Sequence, residues 1–163
     1  MQLTTPLVTA NRTRLYFINL NGINVTKGAV KFHDLCTEIQ NADIDILAAS
    51  EHNLDTNKFA VKQKLHQIAK RLFSHYCLQT ATSSIPAAKF YKPGGTFILA
   101  NGDLVGRVKD KGSDELGRWS WIKLIGKHKR IITVISAYQV CARPTHRTGT
   151  TAFHQQESLL RQR

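Results

Sequence analysis

The sequence predicts an α/β fold in which two strand–helix units are followed by a β-meander. Two apolar runs, residues 15–18 and 44–49, each precede a segment whose apolar residues recur with helical spacing. After residue 95 the pattern changes to short strands separated by turns. The length of 163 residues suits one domain that packs helices on a sheet.

The predicted elements of the first half alternate between strands and helices. Residues 44–49 form a continuous apolar run, as expected for a strand buried on both faces. We predict the first helix over residues 29–39 and the second over residues 58–73, where the lysines lie away from the apolar stripe. That stripe consists of Val61, Leu65, Ile68, Ala69 and Leu72.

The second half is predicted to be mostly β-structure. Turn residues interrupt its apolar runs at 101–103 and again at 126–129. A helix is predicted to begin at Thr150 or Thr151 and to cover residues 151–161. The predicted strands are residues 75–80, 96–100, 104–108, 119–125 and 131–137, with a proline-containing loop over 83–93.

Composition describes a basic globular protein. The net charge is +12; residues 1–106 contribute +4 (11 Lys/Arg against 7 Asp/Glu) and residues 107–163 contribute +8 (12 against 4). This excess favours a polyanionic partner, most simply nucleic acid, over an ordinary basic surface. No apolar stretch reaches the length of a membrane span.

The expected compartment is intracellular, either cytoplasmic or nuclear. The N-terminus has no apolar segment typical of a secretion signal. The cysteines, Cys36, Cys77 and Cys141, are odd in number and widely spaced, which fits a reducing environment and not a disulfide framework.

Polar side chains follow the first two predicted strands at the points where they end. Glu51 comes directly after a very apolar run, and Asn19 and Asn21 follow the first strand. A carboxylate with neighbouring amides suits a hard divalent cation such as Mg²⁺, which keeps waters for a substrate phosphate. The alternative is structural, because asparagines before Gly22 are also typical of a turn and Glu51 can be an ordinary solvent-facing acid.

Four segments, in order, resemble the N-terminal half of the endonuclease/exonuclease/phosphatase superfamily of metal-dependent phosphoesterases. Among its members, the endonuclease domains of non-LTR retrotransposons and other reverse-transcriptase-linked elements are the most similar. The segments are FINLNGIN (17–24), DIDILAASEHNLD (43–55), KPGGTFILAN (92–101) and ITVISAYQV (132–140). The resemblance implies a partial four-layer α/β sandwich of the DNase I-like type.

The resemblance also implies roles for individual residues. Glu51 would bind the metal, Mg²⁺ or Mn²⁺, and Asn19 would line the metal and phosphate site. Asn21 occupies a position at which some relatives have a second acidic ligand. Tyr138 would contact the scissile phosphate, with a core aromatic as the alternative. His52 could touch substrate, and the favoured alternative is a residue that supports the metal ligand or lies on the surface.

The later motifs of the superfamily, Gly-Asp-x-Asn and Ser-Asp-His, do not occur in this sequence. Gly102-Asp103 is followed by Leu-Val and precedes the tyrosine strand, and Ser113-Asp114 is followed by Glu115. We therefore expect residues 1–163 to form a single incomplete domain, ordered from about residue 12, without the C-terminal half of the fold. One sheet should be present and the second mostly absent.

The predicted function is that of a DNA endonuclease-type domain of a retroelement, present as an N-terminal fragment. Its partners would be DNA, the missing half of the domain and a reverse transcriptase in the parent polyprotein. The chain alone should be inactive. Alternatives are a non-catalytic nucleic-acid-binding remnant and a small-molecule or lipid phosphatase. The residues predicted to hold the DNA backbone are Lys123, Lys127, Lys129 and Arg130.

Overall fold

The computed structural model describes residues 12–25, 29–84 and 92–138. Within these ranges the chain forms a mixed α/β fold that begins with the predicted alternation of strands and helices. The strands are β1 (Leu15–Asn19), β2 (Ile46–Ser50), β3 (Tyr76–Ala81), β4 (Thr96–Asn101), β5 (Val108–Ser113), β6 (Trp119–Ile125) and β7 (Ile131–Ala137). The helices are α1 (Val30–Asn41) and α2 (Phe59–Leu72), and short 3-10 turns cover Gly102–Arg107 and Lys127–Lys129.

The first sheet has four strands in the order β1-β2-β4-β3. β1 and β2 are parallel, with Leu15 opposite Ile46 and Asn19 opposite Ser50. Both helices pack on one face of this sheet, where Phe32 of α1 and Leu65 of α2 share a core with apolar residues of β2 and β4. Because β1 and β2 run in the same direction, their carboxyl ends lie at the same end of the sheet.

The second sheet covers the other face of the first and has the strand order β5-β6-β7. Alternate residues of β2 and β4 point into the space between the sheets, which explains why both strands read as continuous apolar runs. The side chains of this second core are Ile46, Ala48, Ile98, Ala100, Leu104, Ile122, Leu124 and Val134. The described residues thus build a helical layer and two sheets.

Two predictions about the second half are wrong. Residues 104–108 do not form a strand paired with β4: Gly102 has φ +66°, the chain turns through a 3-10 segment, and Leu104 is buried between the sheets. The second sheet is also not mostly absent, because β5, β6 and β7 supply it. Their strong local pairing lets this part of the sheet form from a continuous stretch of chain.

The predictions about the last helix and the three cysteines can be compared with the structure only where the residues are described. The helix predicted over 151–161 and Cys141 lie outside them. Cys36 and Cys77 are free thiols, and burial raises the pKa of Cys36 to about 12. None of the described helices is long and apolar enough to cross a membrane.

Candidate active site

The carboxyl ends of β1, β2 and β7 meet at one end of the sandwich. The Ser136 hydroxyl on β7 donates a 2.8 Å hydrogen bond to the Ala49 carbonyl on β2, which ties the two sheets together there. A cleft of about 270 Å³ opens beside this contact. It is lined by Phe17, Ile18, Asn19, Ala48, Ser50, Ser136 and Ala137.

The pairing of β1 with β2 continues into the loops that follow both strands. The Leu20 amide donates to the Ser50 carbonyl at 2.9 Å, and the Gly22 amide donates to the Glu51 carbonyl at 2.7 Å. The Ile23 amide then donates to the His52 carbonyl at 2.9 Å. Three backbone bonds therefore fix the Glu51 loop against the Asn19 loop, as expected from the two polar strand ends in the sequence.

Glu51 occupies a strained backbone conformation. Its φ is +55°, in the left-handed region, and Asn21 and Asn53 nearby have φ of +48° and +55°. Asparagine tolerates this region, whereas a glutamate in it costs roughly 1–3 kcal/mol. Strain of this kind persists only where surrounding contacts impose it, and it is often found at functional sites.

Asn53 links the Glu51 loop to the glycine pair at the start of β4. The Gly94 amide donates to the Asn53 side-chain oxygen at 2.7 Å, and the Asn53 amide donates to the Gly94 carbonyl at 2.8 Å. A Cβ on Gly94 would lie 3.1 Å from the Tyr138 ring, so that ring rests against the same loop. Tyr138 is thus brought to the same end of the fold as Glu51, although the sequence separates them widely.

His52 does not have the predicted role of contacting substrate. It is only 1% exposed: its Nδ1 accepts the Leu54 amide at 3.0 Å, and its Nε2 lies 3.0 Å from the Ala81 carbonyl. This pairing requires the tautomer with the proton on Nε2. Burial lowers the pKa of His52 from 6.5 to about 4, so the ring is neutral near pH 7. The chain turns inward after β2 ends, so the His52 ring lies inside the fold and fixes the loop through these two hydrogen bonds.

A buried ion pair supports the other side of the same loop, and sequence reasoning missed it. Lys92 Nζ lies 3.6 Å from Asp55 Oδ1, and the two residues are 6% and 3% exposed. The Lys92 ammonium also donates to the Ser83 carbonyl. A buried charge requires a partner. The signals in the sequence were Asp55, which closes the apolar segment after Glu51, and Lys92, which precedes the glycine pair.

Glu51 is the one carboxylate that these loops present beside Asn19. It is half-buried, and its side chain makes no hydrogen bond or ion pair with the residues that the structure describes. Asn19 Oδ1 accepts the Asn21 amide at 3.0 Å, so the asparagines do form a turn, as the structural alternative supposed. Across the described residues, no group of three or more His, Cys, Asp or Glu side chains is placed to hold a metal.

This donor set fits a hydrated Mg²⁺ or Mn²⁺ and does not fit a closed metal cage. Mg²⁺ is commonly held by one or two carboxylates while it keeps several waters. Glu51 would supply one such ligand, and the side chains of Asn19 and Asn21, on the loop paired with it, are exposed. The remaining ligands would have to come from water, substrate or further protein groups.

The four basic residues predicted to hold DNA are not at this end of the fold. Lys127, Lys129 and Arg130 lie around the turn that joins Ile125 to Ile131, while Ala137 is at the other end of β7. Six residues of strand, at about 3.3 Å each, separate the two ends by about 20 Å. Lys123 faces Asp110 at 3.9 Å, and its ammonium lies 4.7 Å from the centre of the Trp121 ring.

Comparisons with known proteins add information at the level of the fold. No protein-family model matches the sequence, and no curated protein matches it significantly. The solved structures that are similar over most of the chain include the following two. One is an endonuclease/exonuclease/phosphatase family protein from Leptotrichia buccalis C-1013-b, with a TM-score of 0.57 and 16% identity. The other is an AP endonuclease from Leishmania major, with a TM-score of 0.58 and 15% identity.

The chain has the fold of endonuclease/exonuclease/phosphatase proteins. The prediction of this fold from four short segments is therefore confirmed. The match covers 92% of this chain and 63% of the Leptotrichia protein, and 82% of this chain and 41% of the Leishmania protein. The chain thus spans less than two thirds of the length of either neighbour.

Proposed function

We propose that this chain forms the N-terminal part of a metal-dependent phosphodiesterase domain that acts on DNA. The observation that carries the proposal is the position of Glu51. Its carboxylate has no described partner and follows β2 in a strained conformation, fixed against the Asn19 loop by backbone hydrogen bonds. The fold and the strongly basic chain support the same conclusion.

Each residue at the strand ends has a part in this proposal. Glu51 and Asn19 would hold Mg²⁺ or Mn²⁺, with Asn21 beside them. A bound divalent ion would supply Lewis acidity at a phosphate. The Tyr138 hydroxyl would donate a hydrogen bond to a non-bridging phosphate oxygen from the adjoining loop. His52 and Asn53 would position the loop without contacting substrate, since their polar atoms engage the protein.

Metal binding is the direct test. Titration with Mn²⁺ should broaden the amide NMR signals of residues 19–22 and 51–53, and Glu51→Gln should abolish that broadening. Asp103→Asn is a suitable control, because Asp103 follows β4 at the opposite end of the first sheet and is exposed. Broadening that survives Glu51→Gln, or that depends on Asp103, would contradict the proposal.

Catalysis should need more than residues 1–163. The described residues offer one carboxylate at the site, and a positioned acid or base typically contributes about 10²–10⁴-fold. Nicking of supercoiled plasmid in Mg²⁺ should stay at background with the isolated chain. A retroelement polyprotein with a reverse transcriptase is our proposed source of the remaining half.

A second candidate is a nucleic-acid-binding module without hydrolytic activity. It is favoured by the net charge of +12, and by the fact that the described part of the chain brings only one carboxylate, that of Glu51, to the strand ends. Under this proposal the chain would bind DNA at low salt, and Glu51→Gln would change neither the Mn²⁺ titration nor DNA binding. The metal experiment above therefore separates the two candidates.

A further inference from the structure

An arginine and a tryptophan lie next to Tyr138 at the end of the second sheet. β6 and β7 pair Trp119 with Ala137, and the pairing continues by one residue, because the Tyr138 amide donates to the Arg118 carbonyl at 2.7 Å. Arg118 is therefore the residue directly opposite Tyr138. Since residues opposite each other in an antiparallel pair have Cα atoms about 4.5–5.5 Å apart, Arg118 lies at the same end of the fold as the candidate active site.

The Arg118 side chain is held in place by Asp114. Its Nε donates to Asp114 Oδ2 at 2.9 Å, and Asp114 Oδ1 accepts the backbone amides of Arg118 at 2.5 Å and of Trp119 at 3.1 Å. The Asp114 side chain is 9% exposed and the Arg118 side chain 24%. A guanidinium carries five N–H donors. The four on the terminal nitrogens of Arg118 have no hydrogen-bond partner among the described residues.

The guanidinium of Arg118 stacks on Trp119. Its carbon Cζ lies 4.4 Å from the centre of the Trp119 ring. Trp119 points away from the first sheet, because the neighbouring Ser120 is buried between the sheets, and it is 38% exposed. Stacking and the bond to Asp114 together hold the planar guanidinium in one orientation. We call this fixed pair of flat side chains the Arg118–Trp119 platform.

Trp121 lies on the same face of β6 but is packed differently. A Cβ on Gly112 would lie 2.6 Å from the Trp121 ring, so the indole lies across the backbone of β5. The Lys123 ammonium lies 4.7 Å from the centre of that ring and also faces Asp110. Trp121 is thus packed within the sheet and is one register pair further from Tyr138. It is a matched comparison for Trp119.

We propose that the Arg118–Trp119 platform stacks one unpaired nucleobase of a DNA strand whose phosphate lies at Tyr138. Unstacked bases bind to aromatic rings and to guanidinium planes, and the remaining donors of Arg118 would contact a flanking phosphate. A fully paired duplex keeps its bases stacked on one another and does not offer this contact. The substrate class is therefore DNA with a single-stranded or extruded nucleotide; the choice of DNA and the phosphate at Tyr138 rest on the proposed function.

Tryptophan fluorescence tests the contact directly, because the chain contains only two tryptophans. Trp121→Phe leaves Trp119 as the single emitter, and Trp119→Phe leaves Trp121. Oligothymidylate, which has no base pairs, is added in EDTA so that no metal takes part. It should quench the emission of Trp119 and leave that of Trp121 unchanged. The same strand annealed to oligodeoxyadenylate should quench neither, and absence of Trp119 quenching by the single strand would overturn the proposal.

Affinities show whether stacking contributes to binding. Trp119→Leu should weaken binding of oligothymidylate by roughly 5- to 150-fold, the range expected for losing one stacked base, with no change for the duplex. Trp121→Leu should change neither affinity. Arg118→Lys keeps the charge but not the plane, so it should also reduce the preference for the single strand. The platform is overturned if the single strand and the duplex lose affinity equally, or if Arg118→Lys binds like the parent.

Two controls keep the result independent of stability and of the metal. Urea denaturation identifies any variant that is not folded, and the quenching of Trp119 in Trp121→Phe needs no change in the platform itself. Quenching in EDTA without the Mn²⁺ effect at Glu51 would support the platform and contradict the proposed metal site. An Mn²⁺ effect without any preference for the single strand would contradict the platform and leave the proposed function standing.

Discussion

The loops around Glu51 and the turn between β6 and β7 lie at opposite ends of the second sheet and are built in opposite ways. The Glu51 loop is held by three separate stretches of chain: the Asn19 loop, the carbonyl of Ala81 and the glycine pair before β4, which in turn lies against the Tyr138 ring. The β6–β7 turn is local, exposed and basic, with Lys127, Lys129 and Arg130 in adjoining positions.

This difference indicates which positions tolerate change. A substitution in the Glu51 loop must be accommodated by several neighbours at once, so it should affect stability as well as function. A substitution in the basic turn meets mainly solvent and should change the surface charge that DNA would meet, with little effect on stability. The four tests below compare the two regions, beginning with the largest expected effect.

Gly95→Ala should destabilise the protein by roughly 3–5 kcal/mol. Gly95 has φ +83°, and a Cβ there would lie 2.4 Å from the His52 ring and 3.0 Å from the Ala81 carbonyl oxygen. The ring cannot easily move, because both of its nitrogens are engaged. Urea denaturation measures the loss. Gly106→Ala, where nothing lies within 4 Å, is the control and should change stability by less than about 0.5 kcal/mol.

His52 should make the fold sensitive to mild acid. Burial lowers its folded-state pKa to about 4 from an ordinary 6.5, so between these values the unfolded chain binds the extra proton. The contribution of neutral His52 to the free energy of unfolding is fully present above pH 6.5. As the pH drops from there towards 4, the free energy of unfolding should fall by about 1.4 kcal/mol per pH unit.

The pH effect is isolated by comparing variants. The pKa of His66 is also lowered, chiefly by burial and then by Lys62 and Lys111, and contributes a dependence of the same sign. His52→Gln should therefore reduce the slope relative to the parent without removing it. An unchanged slope in His52→Gln would mean that His52 is not held neutral in the fold.

Replacing Glu51 should separate strain from metal binding. Glu51→Gly removes the strain of the left-handed conformation, whereas Glu51→Ala keeps a Cβ at φ +55°. The free energy of unfolding of Glu51→Gly should therefore be about 1 kcal/mol higher than that of Glu51→Ala. Both variants should lose the Mn²⁺ effect equally. If Glu51→Gly proved the less stable of the two, the strain assigned to this position would not exist.

Neutralising the basic turn should alter DNA binding while leaving stability within about 0.5 kcal/mol of the parent. Replacing Lys127, Lys129 and Arg130 with glutamine should reduce the slope of log affinity against log salt by up to about 0.9 per lost phosphate contact. The same number of substitutions on α2, at exposed Lys62, Lys70 and Arg71, gives an equal change in charge. Equal effects of the two sets would indicate that net charge alone governs binding.

The sequence predicted well what depends on local pattern. Continuous apolar runs identified β2 and β4, helical spacing identified α1 and α2, and the polar strand ends located Glu51 beside Asn19. It failed where a tertiary contact overrides local preference. Leu104 was predicted to lie in a strand, but it belongs to a 3-10 turn and its side chain is buried between the two sheets. His52 looked accessible because it follows Glu51, but its neighbours draw the ring inward.

Other parts of the site could not be read from the chain at all. The pairing of Asp55 with Lys92 and the bridge from Asn53 to Gly94 join residues about forty positions apart, and nothing in either local pattern specifies the partner. The distance of the basic residues from the Glu51 loop could not be predicted either, because composition carries no information about which end of a strand faces the site.

The parallel pairing of β1 with β2 has a consequence for the order in which the protein folds. β6 and β7 are joined by a turn of a few residues, so their contacts close a short loop and can form early. β1 meets β2 only after α1 has bridged them, and the Glu51 loop then waits for residues near 81 and 94. Long-range contacts of this kind form late. When the complete chain refolds, the β6–β7 hairpin should therefore form early as a local unit, while the candidate active site would be among the last parts of the molecule to acquire its native geometry.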